Sequence, residues 1–436
     1  MADPEPSVGQ TPGPDPADGD GTVQAAQAWL FTAADGADRR LASVAGLGQK
    51  AQLALRLGQA SECLSTLTEQ RSVAGDDRSA MVWALTTGAA LRAVLGQLRR
   101  ARADLAEAKR TCQQAAPLLA EPFWHFAGVV GNWMAGDWAA ALKDAAALDA
   151  RYVSSVTPAL AGAITALRTE MLRGLGLPEE TRPLYGRLEA ALPAEMSAWA
   201  LAGLDAERGH HAAALCRLAD ARNAGERSVN KAALPLVLHR AAEIAFSRGN
   251  REVTAQAAAD LAGLDQAAPL TAIMARLAEA YATGDPGPAR WAQQQAEAEG
   301  AGVLVAEALT VRGQIGDAPV KTLSAAHATW RRIGAVGRAR AVAAAMHAAG
   351  LAAPAAEEDQ WVPHISTDGP PPLTVRERNL ARLVHEGRTN QQIASTLHIS
   401  VKTVESYLTR LYRKTSCSSR VELAVAVTER RVQAGE

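Results

Sequence analysis

Apolar and polar positions alternate along the middle of the chain with the period of a helix, and glycine interrupts the pattern at regular intervals. The stretch VVGNWMAGDWAAALKDAAALDA, residues 129–150, shows one unit, with an apolar-periodic segment on each side of Gly136. Glycine at the end of a helix permits the left-handed backbone conformation that reverses the chain. Eight such glycines lie 32 to 40 residues apart: Gly58, Gly96, Gly136, Gly176, Gly209, Gly249, Gly284 and Gly316. The pattern predicts one helical hairpin at each glycine.

A hairpin period of this length resembles that of tetratricopeptide repeats, although the full consensus of that family is not met. Single hairpins cannot bury their apolar faces alone, so we expect them to stack into a superhelix with a concave groove. A peptide, a protein or a small-molecule effector could bind in this groove. Tryptophans are candidates for its lining, but tryptophans at helical spacing more often belong to the core. The alternative is a non-repetitive α-helical bundle with ordinary glycine caps, but the even spacing favours repeats. The tryptophans concerned are Trp83, Trp124, Trp133, Trp138, Trp199, Trp291 and Trp330.

Composition supports an all-α fold and divides the chain into four parts. Alanine and leucine, both strong helix formers, carry much of the 48% apolar content, and aromatic residues make up only 4%. Residues 1–22 hold five prolines, four glycines, five acids and no base, so we expect them to be disordered. Residues 23–350 form the repeat region, and the proline-rich, acidic residues 351–372 form a linker. Residues 373–436 form a separate C-terminal unit.

Helix capping signals predict four helices in the C-terminal unit. Three pairs have the spacing of a capping box, in which a hydroxyl and a side chain three residues later satisfy free backbone amides, and one serine is a plain N-cap. The pairs are Thr374 with Glu377, Thr389 with Gln392, and Ser419 with Glu422, and the serine is Ser400. The predicted helices span about 375–386, 390–397, 401–414 and 420–431. Only three residues join the second and third helices, which is typical of a helix-turn-helix.

Helical phase separates an apolar side from a polar side in this unit. At 100° per residue, Val404, Leu408 and Leu411 share one face of the third helix, with Tyr407 at its margin. The predicted helix-turn-helix core is Ile393, Ala394, Leu397, Ile399, Val404, Leu408 and Leu411. The opposite face presents Lys402, Ser406, Thr409 and Arg413, flanked by Glu405 and Arg410. Such side chains can bond to base edges or neutralise phosphates.

Charge is distributed unevenly along the chain. Residues 373–431 contain eleven Lys and Arg against five Asp and Glu, a net charge of +6, whereas the rest of the chain carries −7. A basic unit on an acidic body indicates an anionic partner for the C-terminal unit. Four cysteines without C-x-x-C spacing suggest neither a disulfide framework nor a zinc site, and we expect ordinary buried thiols. The absence of a long apolar run or an export signal predicts a cytoplasmic protein without a membrane span.

The segment 373–427 resembles the C-terminal DNA-binding domain of LuxR-type regulators, also called the GerE-like domain. The resemblance rests on LT.RE at 373–377, Gly387, TN..IA..L.IS..TV at 389–404, YRK at 412–414 and SSR at 418–420. It covers about an eighth of the chain, and its many fixed spacings make it specific. Three positions depart from the family pattern, Asn379, Tyr407 and Cys417, and none lies on the proposed reading face.

The resemblance implies a four-helix domain that binds a dyad-symmetric operator in double-stranded DNA as a homodimer, with the third helix in the major groove. The residues that it places near bases are Glu405, Ser406 and Thr409. Those that it places at the DNA backbone are Thr389, Asn390, Lys402, Thr403, Arg410, Arg413 and Lys414. The last helix often forms the dimer contact in relatives, and the face expected to do so here is Val421, Ala424, Val425 and Thr428.

The sequence therefore predicts a transcriptional regulator whose repeats receive a signal or mediate oligomerisation, and which contacts RNA polymerase if it is an activator. The chain resembles large LuxR-type activators of actinobacteria, but GLGQK at 46–50 lacks the spacing of a phosphate loop, so we expect no nucleotide hydrolysis. The main alternative is a repeat scaffold that uses the C-terminal unit for protein contacts. A third possibility is an enzyme. However, the sequence contains no catalytic or metal-binding motif, we expect no cofactor, and we interpret the carboxylates as lying on solvated helix faces.

Overall fold

The repeat region folds into seventeen helices in the part of the chain that the computed structural model describes. The described residues are 39–112, 121–152, 158–191, 194–227, 230–351 and 375–397, with Val401, Val404, Tyr407, Leu408, Leu411 and Leu423. The first nine helices are α1 (Arg39–Arg56), α2 (Ala60–Ala74), α3 (Arg78–Leu95), α4 (Leu98–Cys112), α5 (Glu121–Ala135), α6 (Trp138–Tyr152), α7 (Pro158–Gly174), α8 (Pro178–Glu189) and α9 (Ala194–Glu207). The next eight are α10 (His211–Arg227), α11 (Leu234–Ser247), α12 (Arg251–Ala262), α13 (Pro269–Thr283), α14 (Pro286–Glu299), α15 (Gly302–Gln314), α16 (Pro319–Ile333) and α17 (Val336–Ala348). No strand occurs within these ranges.

Consecutive helices pair as hairpins, from α1 with α2 to α15 with α16. Each of the eight glycines named from the sequence lies at the turn inside one hairpin and has a positive φ, between +68° and +91°. At Gly96, for example, the glycine N–H donates to the carbonyl of Ala93 and the next N–H donates to the carbonyl of Arg92, which closes the last turn of α3. The prediction of helical hairpins is confirmed, and α17 follows the eighth hairpin.

The hairpins stack through their first helices and form a superhelix that meets itself after five repeats. From α1 to α15, each odd-numbered helix contacts the next odd-numbered helix along the stack. In addition, α3 contacts α13, α5 contacts α15, and α7 contacts α17. The contact is close, because a Cβ atom added at Gly96 would lie 2.6 Å from the backbone nitrogen of Leu270. The end of α3 therefore packs directly on the start of α13.

Small and medium apolar side chains fill the interior, and most of the named tryptophans belong to it. Trp83, Trp133, Trp138, Trp199 and Trp330 are buried, whereas Trp291 is exposed. The rings of Trp133 and Trp199 meet edge to face with centroids 5.8 Å apart. Trp133 of the third hairpin therefore packs on Trp199 of the fifth hairpin within the core.

An ion cluster lies inside the superhelix and corrects the expectation that the carboxylates are solvated. Glu170 of α7 is buried and accepts hydrogen bonds from Arg173, Arg240 at 2.9 Å and Arg338 at 3.1 Å. Burial opposes the ionisation of Glu170, but the three guanidinium groups outweigh it and hold its pKa well below the ordinary value. Burial likewise opposes the ionisation of Glu243, and Arg338 and Arg240 lower the pKa of that carboxyl to about 2. The sequence interpretation failed because two of the three compensating arginines, Arg240 and Arg338, come from helices far from α7 in the chain.

Two further observations concern thiols and membranes. Cys63 is buried and burial raises its pKa to about 12, but Cys216 is exposed, so the expectation of uniformly buried thiols is wrong. Cys216 points outward because Ala214, Leu218 and Ala221 supply the buried side of α10. Across the described residues, no helix is long and apolar enough to cross a membrane.

Candidate DNA-binding site

Two helices begin the C-terminal unit, α18 (Val375–His385) and α19 (Asn390–Leu397). Their positions agree with the ranges predicted from the capping signals. Gly387 ends α18 with a φ of +74°, and its N–H donates to the carbonyl of Val384 over 3.0 Å. The next N–H, from Arg388, donates to the carbonyl of Leu383 over 3.1 Å. The left-handed glycine thus stops α18 and directs the chain into α19 within four residues.

The capping box predicted at the start of α19 is present. The backbone N–H of Thr389 donates to Gln392 Oε1 over 2.9 Å, and the N–H of Gln392 donates to Thr389 Oγ1 over 3.3 Å. These reciprocal bonds satisfy two amides that have no partner inside the helix. They also fix Thr389 and Asn390 at the positive end of α19, where a phosphate is favoured. Thr389 is exposed and Asn390 is half-buried.

One small hydrophobic core joins the elements of this unit, and it is separate from the core of the repeats. Ile393 and Ala394 of α19 are buried against Val404, Leu408 and Leu411, as predicted. The side chains of Leu397 and Ile399 lie outside the described residues. The full set of buried residues is Leu380, Ala381, Leu383, Val384, Ile393, Ala394, Val404, Leu408, Leu411 and Leu423. Sequence reasoning did not name the α18 residues or Leu423, although the spacing of 380, 381 and 384 is that of a helix face.

The described positions of the third predicted helix have the expected phase. Val401, Val404, Tyr407, Leu408 and Leu411 are all helical. Val404, Leu408 and Leu411 are buried, Tyr407 is partly buried, and Val401 is 40% exposed. Burial at intervals of four and three residues matches the apolar stripe derived from the sequence. One side of this helix therefore packs on α18 and α19.

Most of the residues expected to touch DNA lie outside the described part of the chain. These are Lys402, Thr403, Glu405, Ser406, Thr409, Arg410, Arg413 and Lys414. The expected dimer face, Val421, Ala424, Val425 and Thr428, also lies outside it, as do residues 1–22, the linker 352–372 and the capping residues Thr374, Ser400 and Ser419. The described residues thus provide the support of the site, namely the capped α19 and the packed face of the third helix.

Comparison with known proteins agrees with this geometry. Residues 371–427 match the family model of bacterial regulatory proteins of the LuxR family, GerE. The DNA-binding transcriptional activator DevR/DosR of Mycobacterium tuberculosis is 44% identical over 57 residues, which is 13% of this chain and 26% of that protein. The response regulator Rre1 of Synechocystis is 46% identical over 51 residues, 12% of this chain and 22% of that protein.

A third relative indicates how differently the domain is combined in other chains. The HTH-type transcriptional regulator Rv0890c of Mycobacterium tuberculosis is 47% identical over 51 residues, 12% of this chain but only 6% of its own length. The chain therefore spans a small part of each of these relatives. No solved structure matches it. The shared segment, with its capped supporting helix and common core, identifies residues 371–427 as a LuxR-family helix-turn-helix domain.

Proposed function

We propose that the chain is a sequence-specific DNA-binding transcriptional regulator, in which the helix 401–414 enters the major groove. The observation that carries the proposal is the burial of Val404, Leu408 and Leu411 in one core with the capped α19. A helix-turn-helix needs this packing, because the supporting helix holds the reading helix against the DNA.

The buried stripe determines which positions of the third helix are available to DNA. In a continuous helix, Lys402, Ser406, Thr409 and Arg413 fall opposite the positions that are buried. Hydroxyl groups and the nearby carboxylate of Glu405 can bond to base edges, and a carboxylate can accept a bond from the amino group of cytosine. We assign base reading to Glu405, Ser406 and Thr409. We assign backbone contacts to Thr389, Asn390, Lys402, Thr403, Arg410, Arg413 and Lys414.

The charge distribution supports the same partner. The net charge of +6 over residues 373–431 contrasts with −7 elsewhere, of which residues 1–22 and 351–372 together contribute −9. The repeats, residues 23–350, hold 34 Lys and Arg against 31 Asp and Glu, so positive charge is most concentrated in the C-terminal unit, where it attracts DNA. We further propose that the protein acts in the cytoplasm as a homodimer on a dyad-symmetric operator, with Val421, Ala424, Val425 and Thr428 in the dimer contact. An activator of this kind would also contact RNA polymerase.

The repeats are the proposed receiver of a signal or the site of oligomerisation. They contribute most of the chain, and α17 precedes the DNA-binding domain by fewer than thirty residues. The competing function is a scaffold that uses the C-terminal domain for protein contacts. The two functions differ in one respect that can be measured, since only the first requires a specific and salt-dependent complex with DNA.

Two experiments with the full chain test the proposal. The first selects bound sites from random DNA duplexes, and the second is a gel-shift titration of the selected sites at several salt concentrations. We expect a recurrent dyad-symmetric sequence and a steep loss of affinity with salt. Lys402→Ala and Arg413→Ala should each lower the salt slope by about 1.8, because each removes one phosphate contact of about 0.9 from both protomers of the dimer. Lys143→Ala, an exposed lysine on α6, is the matched control and should leave the slope unchanged. A chain that selects no sequence would support the scaffold instead.

Base reading is tested separately from affinity. Thr409→Ala should change the preferred base at one operator position, and Glu405→Ala should lose discrimination at one C·G pair while binding random DNA more tightly. Repeating the selection with each variant measures both effects. If the selected sequence stays the same and only affinity changes, the residue belongs to the backbone contacts.

A further inference from the structure

A cavity of about 80 Å³ lies between five helices of the second half of the repeats. Its lining comes from α11, α13, α15, α16 and α17, so it lies among the first helices of successive repeats. A water molecule needs roughly 10–15 Å³ on the same measure, which means that the cavity is large enough for a small organic molecule. Ala341 lines the cavity and is exposed, so the cavity reaches the surface.

Two polar groups in the lining have no hydrogen-bond partner among the described residues. His239 is 6% exposed, and its Nε2 atom is buried and unpaired. The carboxylate of Glu307 accepts no hydrogen bond there, and its nearest cation, Arg338 Nη2, is 3.9 Å away. By contrast, Tyr281 donates to Gln314 over 3.0 Å within the same lining. A buried polar atom is normally paired, so His239 Nε2 indicates a missing partner, and the Glu307 carboxylate, 17% exposed, can accept a hydrogen bond in the same lining.

The charge of the lining favours a cation in this place. Arg338 donates to Glu243 over 2.8 Å and to Glu170 over 3.1 Å, so these two carboxylates already engage its guanidinium. The lining itself holds two carboxylates, Glu243 and Glu307, and one guanidinium. Of these two carboxylates, Glu307 is the one to which Arg338 donates no hydrogen bond. An anionic ligand would add repulsion without gaining a free cation.

We propose that this cavity binds a small organic cation with a primary ammonium group. The ammonium N–H groups donate to the Glu307 carboxylate and to His239 Nε2, and the short apolar part packs on Val311, Val342 and the ring of Trp330. A primary ammonium offers three donors on a compact charge, and an aromatic ring favours a nearby cation. Among the described residues, no group of three His, Cys, Asp or Glu side chains could hold a metal ion. An organic cation needs no such ligand set.

Isothermal titration of the full chain with n-propylammonium chloride, at constant ionic strength and without DNA, tests the site. We expect saturable binding with a Kd between about 40 μM and about 1 mM, because a ligand of four non-hydrogen atoms can gain at most about 6 kcal/mol. Propan-1-ol and propionate are similar in size to n-propylammonium but differ from it in charge, and they should not show saturable binding. Since DNA is absent, failure of this experiment would leave the proposed function untouched.

Three variants locate the binding. Glu307→Gln should weaken the Kd at least tenfold, and Ala341→Trp should block entry while leaving every charged residue in place. Glu252→Gln, an exposed position on α12, is the matched control and should bind as the parent protein does. Circular dichroism confirms that each variant is folded before titration. The proposal would be overturned if the ammonium did not saturate the site, if the alcohol bound as well as the ammonium, or if propionate were preferred. Unchanged binding of the ammonium in Glu307→Gln and Ala341→Trp would also overturn it.

Discussion

Replacing Glu170 by glutamine should destabilise the repeat region, because this one carboxylate compensates three buried guanidinium groups. Arg173, Arg240 and Arg338 all donate to it, and the side chains of Glu170, Arg173 and Arg240 are about 5–6% exposed. Glutamine keeps the volume and removes the charge. The change therefore leaves the packing intact and isolates the electrostatic contribution.

The size of the effect follows from the carboxylates that remain. Arg338 keeps its bond to Glu243 at 2.8 Å, and Arg173 keeps its bond to Glu207 at 2.6 Å, although Glu207 is half exposed. Removing one partner of a buried ion pair costs roughly 3–5 kcal/mol. Because each arginine retains a second carboxylate, we expect about 3 kcal/mol, the lower end of that range.

Urea unfolding followed by circular dichroism measures this loss, and its pH dependence checks the cause. The folded pKa of Glu170 is depressed, so its stabilisation is complete above the unfolded carboxyl pKa and is lost as the pH falls through the folded value. The same holds for Glu243, whose folded pKa is about 2. Between pH 4.5 and 2, stability of the parent should fall more steeply than that of Glu170→Gln, by up to about 1.4 kcal/mol per pH unit for one proton.

The matched control is Glu252→Gln, since Glu252 is exposed on α12. The free energy of unfolding of this surface variant should stay within about 0.5 kcal/mol of that of the parent. If Glu170→Gln were as mild as the control, or if both proteins lost stability equally in acid, the argument that Glu170 holds the three arginines in the interior would be refuted.

Three further predictions concern local features. Gly96→Ala should lower the free energy of unfolding, measured in urea, by several kcal/mol, because the added Cβ would meet the backbone of α13 at 2.6 Å. Gly209→Ala should lower it by only about 1–2 kcal/mol, because Gly209 has a similar φ of +81° but open space around it. Thr389→Ala should lower the thermal stability of the DNA-binding domain by about 1 kcal/mol through loss of the cap, as calorimetry would show. In the native protein, Ellman's reagent should modify Cys216 quickly and Cys63 only on unfolding; rapid reaction at Cys63 would contradict its burial.

The hairpins could be predicted from the sequence because each is a local event. The glycine at every turn and the apolar period on both sides lie within about forty residues, and they determine the fold of one unit. The capping box of Thr389 and Gln392 is equally local, and its two bonds are present in the structure. Local patterns of this kind need no knowledge of the rest of the chain.

The closure of the superhelix could not be predicted, since it depends on small angles accumulated over five repeats. Gly96 meets Leu270 across 174 positions of sequence, and nothing near Gly96 indicates that neighbour. Glu170 was interpreted as solvated for the same reason: its partner Arg338 lies 168 residues away. The cavity beside His239 and Glu307 was missed because its lining comes from five helices between residues 239 and 342.

Among the described helices, α17 is the last of the repeats before the DNA-binding domain, and it is docked on an earlier repeat. Its Gly337 lies on the end of α7, where an added Cβ would stand 2.9 Å from the carbonyl oxygen of Arg173, and its Arg338 donates to Glu170. Arg338 also lines the cavity, so a ligand that binds only when α17 is docked stabilises the docked form by about 2.7 kcal/mol at a hundred times its Kd.

Glu170→Gln acts in the opposite sense, because it removes one of the contacts that hold α17. If docking of α17 controls DNA binding, saturating n-propylammonium and Glu170→Gln must therefore change the affinity for the selected operator in opposite directions. Gel-shift titration measures both changes in affinity in one experiment. It is carried out on the parent with and without the ammonium, and on the Glu170→Gln variant without the ammonium. Two changes of the same sign would show that the docking of α17 does not carry the signal, whichever of the two states binds DNA.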